Sequence, residues 1–396
     1  MRILIVNTDY PAFLEGLYAA HPALDAAPYA DQLRVRNDSL FGSADFYSRN
    51  FVAQGHEAWD VHANNMAMQR AWAREQGGGA APPSTGLQTL IDKTRPLTIR
   101  PPLRYLKPLL RPFILKVKAA PFATLGDQIR SYKPDVVLNQ AMDEIPDGFL
   151  RELKPRIPLL VGQVAAPLNL QTAFPSYDLV VSSLPNFVED FRKQGIPAVF
   201  SRLAFEASVL DRFPERERDI PFSFVGSLTE DHASRIRLLE TLVENTPLEF
   251  WGRIAASLPK RSPIWSRYRG PAWGAEMYTL LARSRITLNH HIGVAAEYAN
   301  NMRLFEATGM GTLLVTDRKS NLHEMFEAGK EIAVYDSPES CVATVRRFLA
   351  DQAARASVAR AGQARTLRDH TYAQRTREMA GIFAGILKDR LKVVKK

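Results

Sequence analysis

The chain has 396 residues, is 46% hydrophobic and carries a formal net charge of +9. This excludes a weakly hydrophobic disordered chain and exceeds what one hydrophobic core usually organises. A single cysteine, Cys341, excludes an intramolecular disulfide framework, and no uninterrupted apolar run approaches a membrane span. The positive balance favours anionic partners, among them nucleoside diphosphates, phospholipids, anionic glycans and nucleic acid, without choosing between them.

The opening residues MRILIVNTDY predict a buried strand over 2–7 with no signal-peptide pattern, so cytoplasmic residence is the expectation. Gly16 is the only glycine in the following loop, which argues against a GxGxxG dinucleotide site. Asp9 and Tyr10 fall just past the strand, where open α/β sheets place ligands, and Asp9 is a candidate proton acceptor. Within 36–64 a helix, then Gly55 and His56, lead to a strand around 58–61. His56 is a second candidate base, and Asp38, Ser39 and Phe41 are candidate acceptor contacts. The stretch 77–86, GGGAAPPSTG, predicts a loop. Residues 93–118 then carry eight Lys or Arg and no acidic residue, interleaved with Leu103, Leu106, Leu109, Leu110, Phe113 and Ile114. Its prolines disrupt a recognition helix, so no specific nucleic-acid binding is expected. A peripheral contact with an anionic membrane, or a solvated basic connection, fits the pattern. Strands around 136–138 and 157–167 follow, the second ending in Gly162 and Gln163, and 177–200 predicts a strand-helix-strand unit.

The charged segment 201–219 interrupts the apolar strands and marks a hinge. Past it, 222–225 predicts a strand, turning at Gly226 and Ser227. Ser227 or Thr229 is placed to contact phosphate, and Arg235 in the next helix to neutralise it. Trp251 and Gly252 end another strand within LEFWGRI, a candidate base-positioning segment, and Trp265, Tyr268 and Trp273 add flat surfaces nearby. Residues 285–317 place a strand, a polar loop, a short helix and a second strand in succession. His290 is a candidate phosphate contact, and no carboxylate or cysteine pattern completes a metal site with it. Asn300 and Asn301 are good helix caps, which leaves backbone N–H groups and the positive helix end for an anion. Arg303 offers a bidentate phosphate clamp, and Glu306, one turn on, a carboxylate for a vicinal diol such as a ribose. The competing reading is an exposed Arg303–Glu306 pair at i,i+3 that needs no ligand. A short helix over 321–329, a small strand and a largely helical C-terminus complete the chain, and Ser320, Asn321 and Leu322 are candidate donor-sugar contacts.

The segments NMRLFEATGMGTLLVTD at 301–317, LHEMFEAGKEIAVY at 322–335 and DHTYAQR at 369–375 resemble the C-terminal half of glycosyltransferases related to spore-maturation protein CgeB, within the broad GT-B class. The resemblance implies an α/β fold of two facing Rossmann-like domains, with a nucleotide-sugar donor held chiefly by the second and no obligatory metal. It suggests an acceptor domain over 1–205, a donor domain over 206–370 and a C-terminal helix over 371–396 that crosses back toward the first. The implied activity is transfer of a sugar from a nucleoside-diphosphate sugar, UDP favoured, to a glycan or lipid-linked hydroxyl acceptor, with Arg235 assisting departure of the nucleotide. Two positions depart from the pattern of retaining members: Gln163 stands near the place of a sugar-contacting histidine, and Tyr298 stands where the first of two spaced glutamates would precede Glu306. A noncatalytic module of the same fold, binding an anionic glycan or a protein partner, is the alternative.

Overall fold

The computed structural model describes residues 1–77, 122–165, 168, 174–214, 216–228, 233–254 and 258–394. The basic run 93–118, most of the glycine-rich stretch before it and Thr229 lie outside the described residues. Eleven described strands form two wholly parallel sheets. The first contains β1 (Arg2–Asn7), β2 (Glu57–His62), β3 (Val136–Asn139), β4 (Leu159–Val164), β5 (Leu179–Ser182) and β6 (Ala198–Phe200), in the order β2-β1-β3-β4-β5-β6. The second contains β7 (Ile220–Val225), β8 (Leu248–Trp251), β9 (Ser284–Asn289), β10 (Leu313–Asp317) and β11 (Ala333–Tyr335), in the order β11-β10-β9-β7-β8.

Strand alternation explains how each sheet is buried on both sides. Ile3 and Ile5 of β1, Val136 and Leu138 of β3, and Leu159 and Val161 of β4 enter one core, while Leu4, Val6, Val137 and Leu160 enter the core on the opposite face. The second sheet repeats the pattern, with Leu314 on one side of β10 and Leu313 and Val315 on the other. In each sheet the strand order reverses once, between β1 and β3 and between β7 and β9. Parallel α/β sheets open a crevice at the carboxyl ends of the strands beside such a reversal, so β1, β3, β7 and β9 are where ligand-binding loops belong.

The strands expected from the apolar pattern are present, the one expected over 157–167 being shorter, at Leu159–Val164. The expected helix over 321–329 is instead a single 3₁₀ turn, Leu322–Glu324, after which the chain bends at Gly329 with φ 84°. No described helix is long and apolar enough to cross a membrane.

Candidate functional site

At the carboxyl edge of the second sheet, β7 leads into Gly226 and Ser227 and its neighbour β8 into Gly252. The two turns touch backbone to backbone. A β-carbon on Gly252 would stand 2.0 Å from the Gly226 carbonyl oxygen, and Gly252 has φ 145°, so this junction requires glycine. Beside it a cavity of about 180 Å³ is lined by Gly226, Ser227, Gly252, Arg253, Arg303 and Glu306, with Trp273, Met277 and the first-domain residues Leu40, Phe41 and Gly42 closing the rest.

The Met302–Gly309 helix delivers two of these groups. Asn301 is its N-cap, its side-chain oxygen accepting from the Arg303 amide at 2.9 Å. Arg303 and Glu306 form an ion pair at 2.8 Å with side chains only 12% and 8% exposed, so it is a buried pair and not the solvated surface pair considered above. Arg303 also donates to the Val225 carbonyl at 3.1 Å, which ties the helix to the end of β7. Burial pushes the Glu306 pKa up, and the Arg303 charge opposes it. Asn300 points elsewhere: its amide reaches the Ala165 carbonyl in the first domain at 3.5 Å.

Arg235, in the Ala233–Asn245 helix, is buried and donates to the carbonyls of Ser227 at 3.0 Å and His290 at 2.7 Å. Burial lowers its pKa to about 10, so it is a full cation at neutral pH. It therefore holds the ends of β7 and β9 together while placing positive charge beneath the Ser227 turn. His290 Nδ1 pairs with the Tyr335 hydroxyl at 2.9 Å, and burial pushes its pKa down, leaving a neutral imidazole. His291 turns the other way, with Nδ1 at 2.7 Å from Asp317. Among the described residues no group of three or more His, Cys, Asp or Glu is placed to hold a metal ion.

The first-domain candidates separate. Asp9 is at the end of β1 but fully buried, bound by Arg36 at 2.5 and 3.1 Å and 2.9 Å from His62 Nδ1. Burial disfavours the Asp9 charge, and the attraction and hydrogen bonds of His62 and Arg36 override it, holding its pKa well below the usual carboxylate range. Burial and Arg36 push His62 down, so His62 is neutral at pH 7 and Arg36 is the cationic partner. A carboxylate held in this way has little tendency to take a proton from an acceptor. His56 precedes β2, with its ring beside the chain's amino terminus at 3.4 Å, so it occupies the opposite edge of the sheet from the cleft. That placement removes the geometry a general base at the cleft needs.

Sequence reading placed Phe41 among the acceptor contacts and LEFWGRI, with Trp273 nearby, at the nucleotide base, and the structure brings Phe41, Gly252, Arg253 and Trp273 to one cavity. It missed Arg36 and His62, whose pairing with Asp9 spans 27 and 53 positions and leaves no local pattern. Ser320 and Leu322 line a different, larger cleft of about 770 Å³ outside β10, with Glu297, Lys319, His323 and Arg365. Asn321 caps the Ala299 amide at 2.6 Å. Arg318 there is paired with Asp336 and Lys319 with Asp317, whereas the smaller cavity lies beside the strand reversal, where parallel sheets take ligands.

Two parallel sheets flanked by helices, with residues of both domains lining one cavity, are the architecture of the GT-B fold. Residues 234–381 match a family model described as Glycosyl transferase-like. No curated protein matches the chain. Among solved structures, HepE from Anabaena in complex with UDP is 12% identical, with 97% of this chain and 100% of that chain covered and a TM-score of 0.54. AviGT4, a glycosyltransferase involved in avilamycin A biosynthesis, is 13% identical, with 98% of each chain covered and a TM-score of 0.54. Sucrose-phosphate synthase from Thermosynechococcus elongatus is 12% identical, with 98% of this chain and 99% of that chain covered and a TM-score of 0.52. These likenesses extend over both domains and establish the fold.

Proposed function

We propose that this chain is a glycosyltransferase of the CgeB-related kind, taking a sugar from a nucleoside-diphosphate sugar, with UDP the favoured nucleotide, and passing it to a hydroxyl on a glycan or lipid-linked acceptor. The observation that carries the proposal is the buried Arg303–Glu306 pair in the cavity at the β7/β9 reversal, beneath a helix N-terminus. Glu306 accepts from the ribose diol, and the diphosphate lies toward the Ser227 turn and the start of the Met302–Gly309 helix. As the acceptor oxygen bonds to the anomeric carbon, the bond from that carbon to the diphosphate oxygen breaks, and the hydroxyl proton passes to the departing diphosphate. Negative charge then builds on the leaving diphosphate, where Arg303, the helix end and Arg235 stabilise it without reorganising. UDP in the HepE structure supports the choice of nucleotide. No metal is required in this scheme because the compensating charge comes from the side chains.

Calorimetry with UDP in the presence of EDTA tests the donor site, with micromolar binding the expected result. Absence of binding to UDP, GDP and dTDP by folded protein rejects it. The buried Asp9 and distant His56 favour a second reading, a noncatalytic module of the same fold that binds an anionic glycan or a partner. Hydrolysis of UDP-sugars in the absence of acceptor separates the two, since only the enzyme releases UDP. The proposal also includes cytoplasmic residence with peripheral attachment through the basic run 93–118. Near an anionic surface each basic residue contributes about 1 kcal/mol. Sedimentation with anionic vesicles at low salt, and release at high salt, is expected; equal recovery in the supernatant with neutral and anionic vesicles removes that part of the proposal.

A further inference from the structure

The first domain contributes more than an opposing wall to the donor cavity. Its loop 39–42, which follows the Tyr29–Asp38 helix, places Leu40, Phe41 and Gly42 on the cavity surface. Leu40 has φ 56° and Ala44 φ 39°, backbone conformations that residues with a β-carbon rarely adopt, so the loop keeps this shape only because its surroundings impose it. Those surroundings are specific. Arg36 Nη1 donates to the Phe41 carbonyl at 3.1 Å while Asp9 grips the rest of the guanidinium, and the Ser39 hydroxyl donates to the Arg36 carbonyl at 2.6 Å.

The loop is also fastened to the second domain. The Ser39 carbonyl accepts from the Ala275 amide at 2.8 Å, in the first turn of the Gly274–Arg283 helix. Gly274 has φ 45°, and a β-carbon there would stand 2.0 Å from the Ser39 oxygen, so glycine alone allows the two segments to meet. Next to this junction the Phe41 ring stacks on Phe13 at 4.0 Å and meets Trp273 edge-on at 5.4 Å.

We propose that Phe41 and Trp273 form the end wall against which the nucleotide base is read, and that this wall selects a pyrimidine over a purine. The inference rests on the donor-site reading above and adds the base-discriminating residues to it. With the ribose at Glu306 and the diphosphate toward Ser227 and the helix end, the base extends toward Gly252, Arg253, Trp273 and Phe41. The cavity, about 180 Å³, is below the roughly 300–1,000 Å³ of an ordinary ligand cleft, so it encloses the base and the ribose edge at Glu306 while the diphosphate leads out past Ser227. Its floor cannot recede, because the Gly226 and Gly252 backbones are already in contact. A one-ring base meets the aromatic wall; a two-ring base must displace it. Discrimination therefore depends on a side chain of the first domain, although the phosphates and ribose are held by the second.

The test is calorimetry of UDP and GDP with the full chain, as wild type and as Phe41→Ala, Phe41→Leu and Phe41→Trp, with thermal unfolding used to confirm that each is folded. The wild type is expected to prefer UDP by about tenfold or more. Phe41→Ala should weaken UDP and bring the ratio toward one, Phe41→Leu should fall between, and Phe41→Trp should disfavour GDP further. A ratio unmoved across the folded variants, or a wild type that prefers GDP, overturns the proposal and leaves the donor site standing. No binding of either nucleotide by the wild type overturns both.

Discussion

Asp60 lies on the same face of β2 as His62, buried, with one carboxylate oxygen accepting from Ser48 and the other without a partner among the described residues. Burial raises its pKa from 3.8 to about 7, against the hydrogen bond from Ser48. The sign follows from the proton count. Below pH 3.8 both folded and unfolded chains hold the proton; between 3.8 and about 7 only the folded chain does, so stability falls with rising pH and levels off above 7. Asp60→Asn keeps an acceptor for Ser48 and removes that titration. Urea unfolding at pH 4.5, 6 and 8 should show the variant gaining on the wild type by on the order of 2–4 kcal/mol across the range. A difference constant in pH would mean that Asp60 titrates normally. At the donor cavity the argument concerns pairing. Arg303→Ala leaves the Glu306 carboxyl buried without its cation and should cost about 3 kcal/mol, whereas the Arg303→Ala, Glu306→Ala double variant should recover part of that loss. Both variants should lose UDP binding, so denaturation and calorimetry on the same proteins separate the structural role from the ligand role.

The Met302–Gly309 helix shows how a binding element is supported by its neighbours. Its inner end packs on the Gln352–Asp369 helix, with Thr308 and Thr366 hydroxyls at 2.6 Å and Gln363 donating to the Gly309 carbonyl at 2.9 Å. A β-carbon on Gly309 would stand 2.4 Å from the Phe205 ring, which is fully buried. Gly309→Ala is therefore expected to destabilise the chain by about 1–3 kcal/mol through overpacking, measurable as a lower thermal midpoint. An unchanged midpoint would show that Phe205 can yield. This element was the most legible part of the sequence because its cues are local: apolar spacing set the helix, and Asn301 announced the cap. The β-strands were legible for the same reason, since runs such as Val136 to Leu138 are apolar on both faces. What sequence spacing concealed were relations across the chain. Nothing near Asp9 indicated that Arg36 and His62 would hold its carboxylate, and the position of His56 at the wrong edge depends on strand direction in the assembled sheet. The requirement for glycine at Gly274 likewise comes from the Ser39 carbonyl, 235 positions earlier in the chain, and not from its neighbours in sequence.

The chain passes between the two sheets twice, and the passages are joined. Phe205 donates its amide to the His370 carbonyl at 2.9 Å and accepts from the Tyr372 amide at 3.1 Å. Beyond this bridge the Tyr372–Val394 helix returns to the first domain, where Gln54 donates to Thr376 at 2.7 Å, Phe383 lies 6.4 Å from Phe51, and Arg390 pairs with Asp178 at 2.6 Å. One hydrophobic cluster consequently runs from Ile3, Phe46 and Phe51 through Phe205, Tyr372 and Phe383 to Leu281, Phe305 and Phe326. Two sheets that share a core in this way should unfold together, because the returning helix cannot detach without exposing apolar surface on both sides of the junction. Phe383 is fully buried, so Phe383→Ala should cost about 3–5 kcal/mol from lost burial and the cavity left behind. Scanning calorimetry should show a single transition moved to lower temperature, and fluorescence of chains keeping only Trp59 of the first domain or only Trp251 of the second among the five tryptophans should follow the same curve. If the variant instead splits the transition and shifts only the part reported by Trp59, the helix serves the first domain alone and the shared core does not couple the two halves.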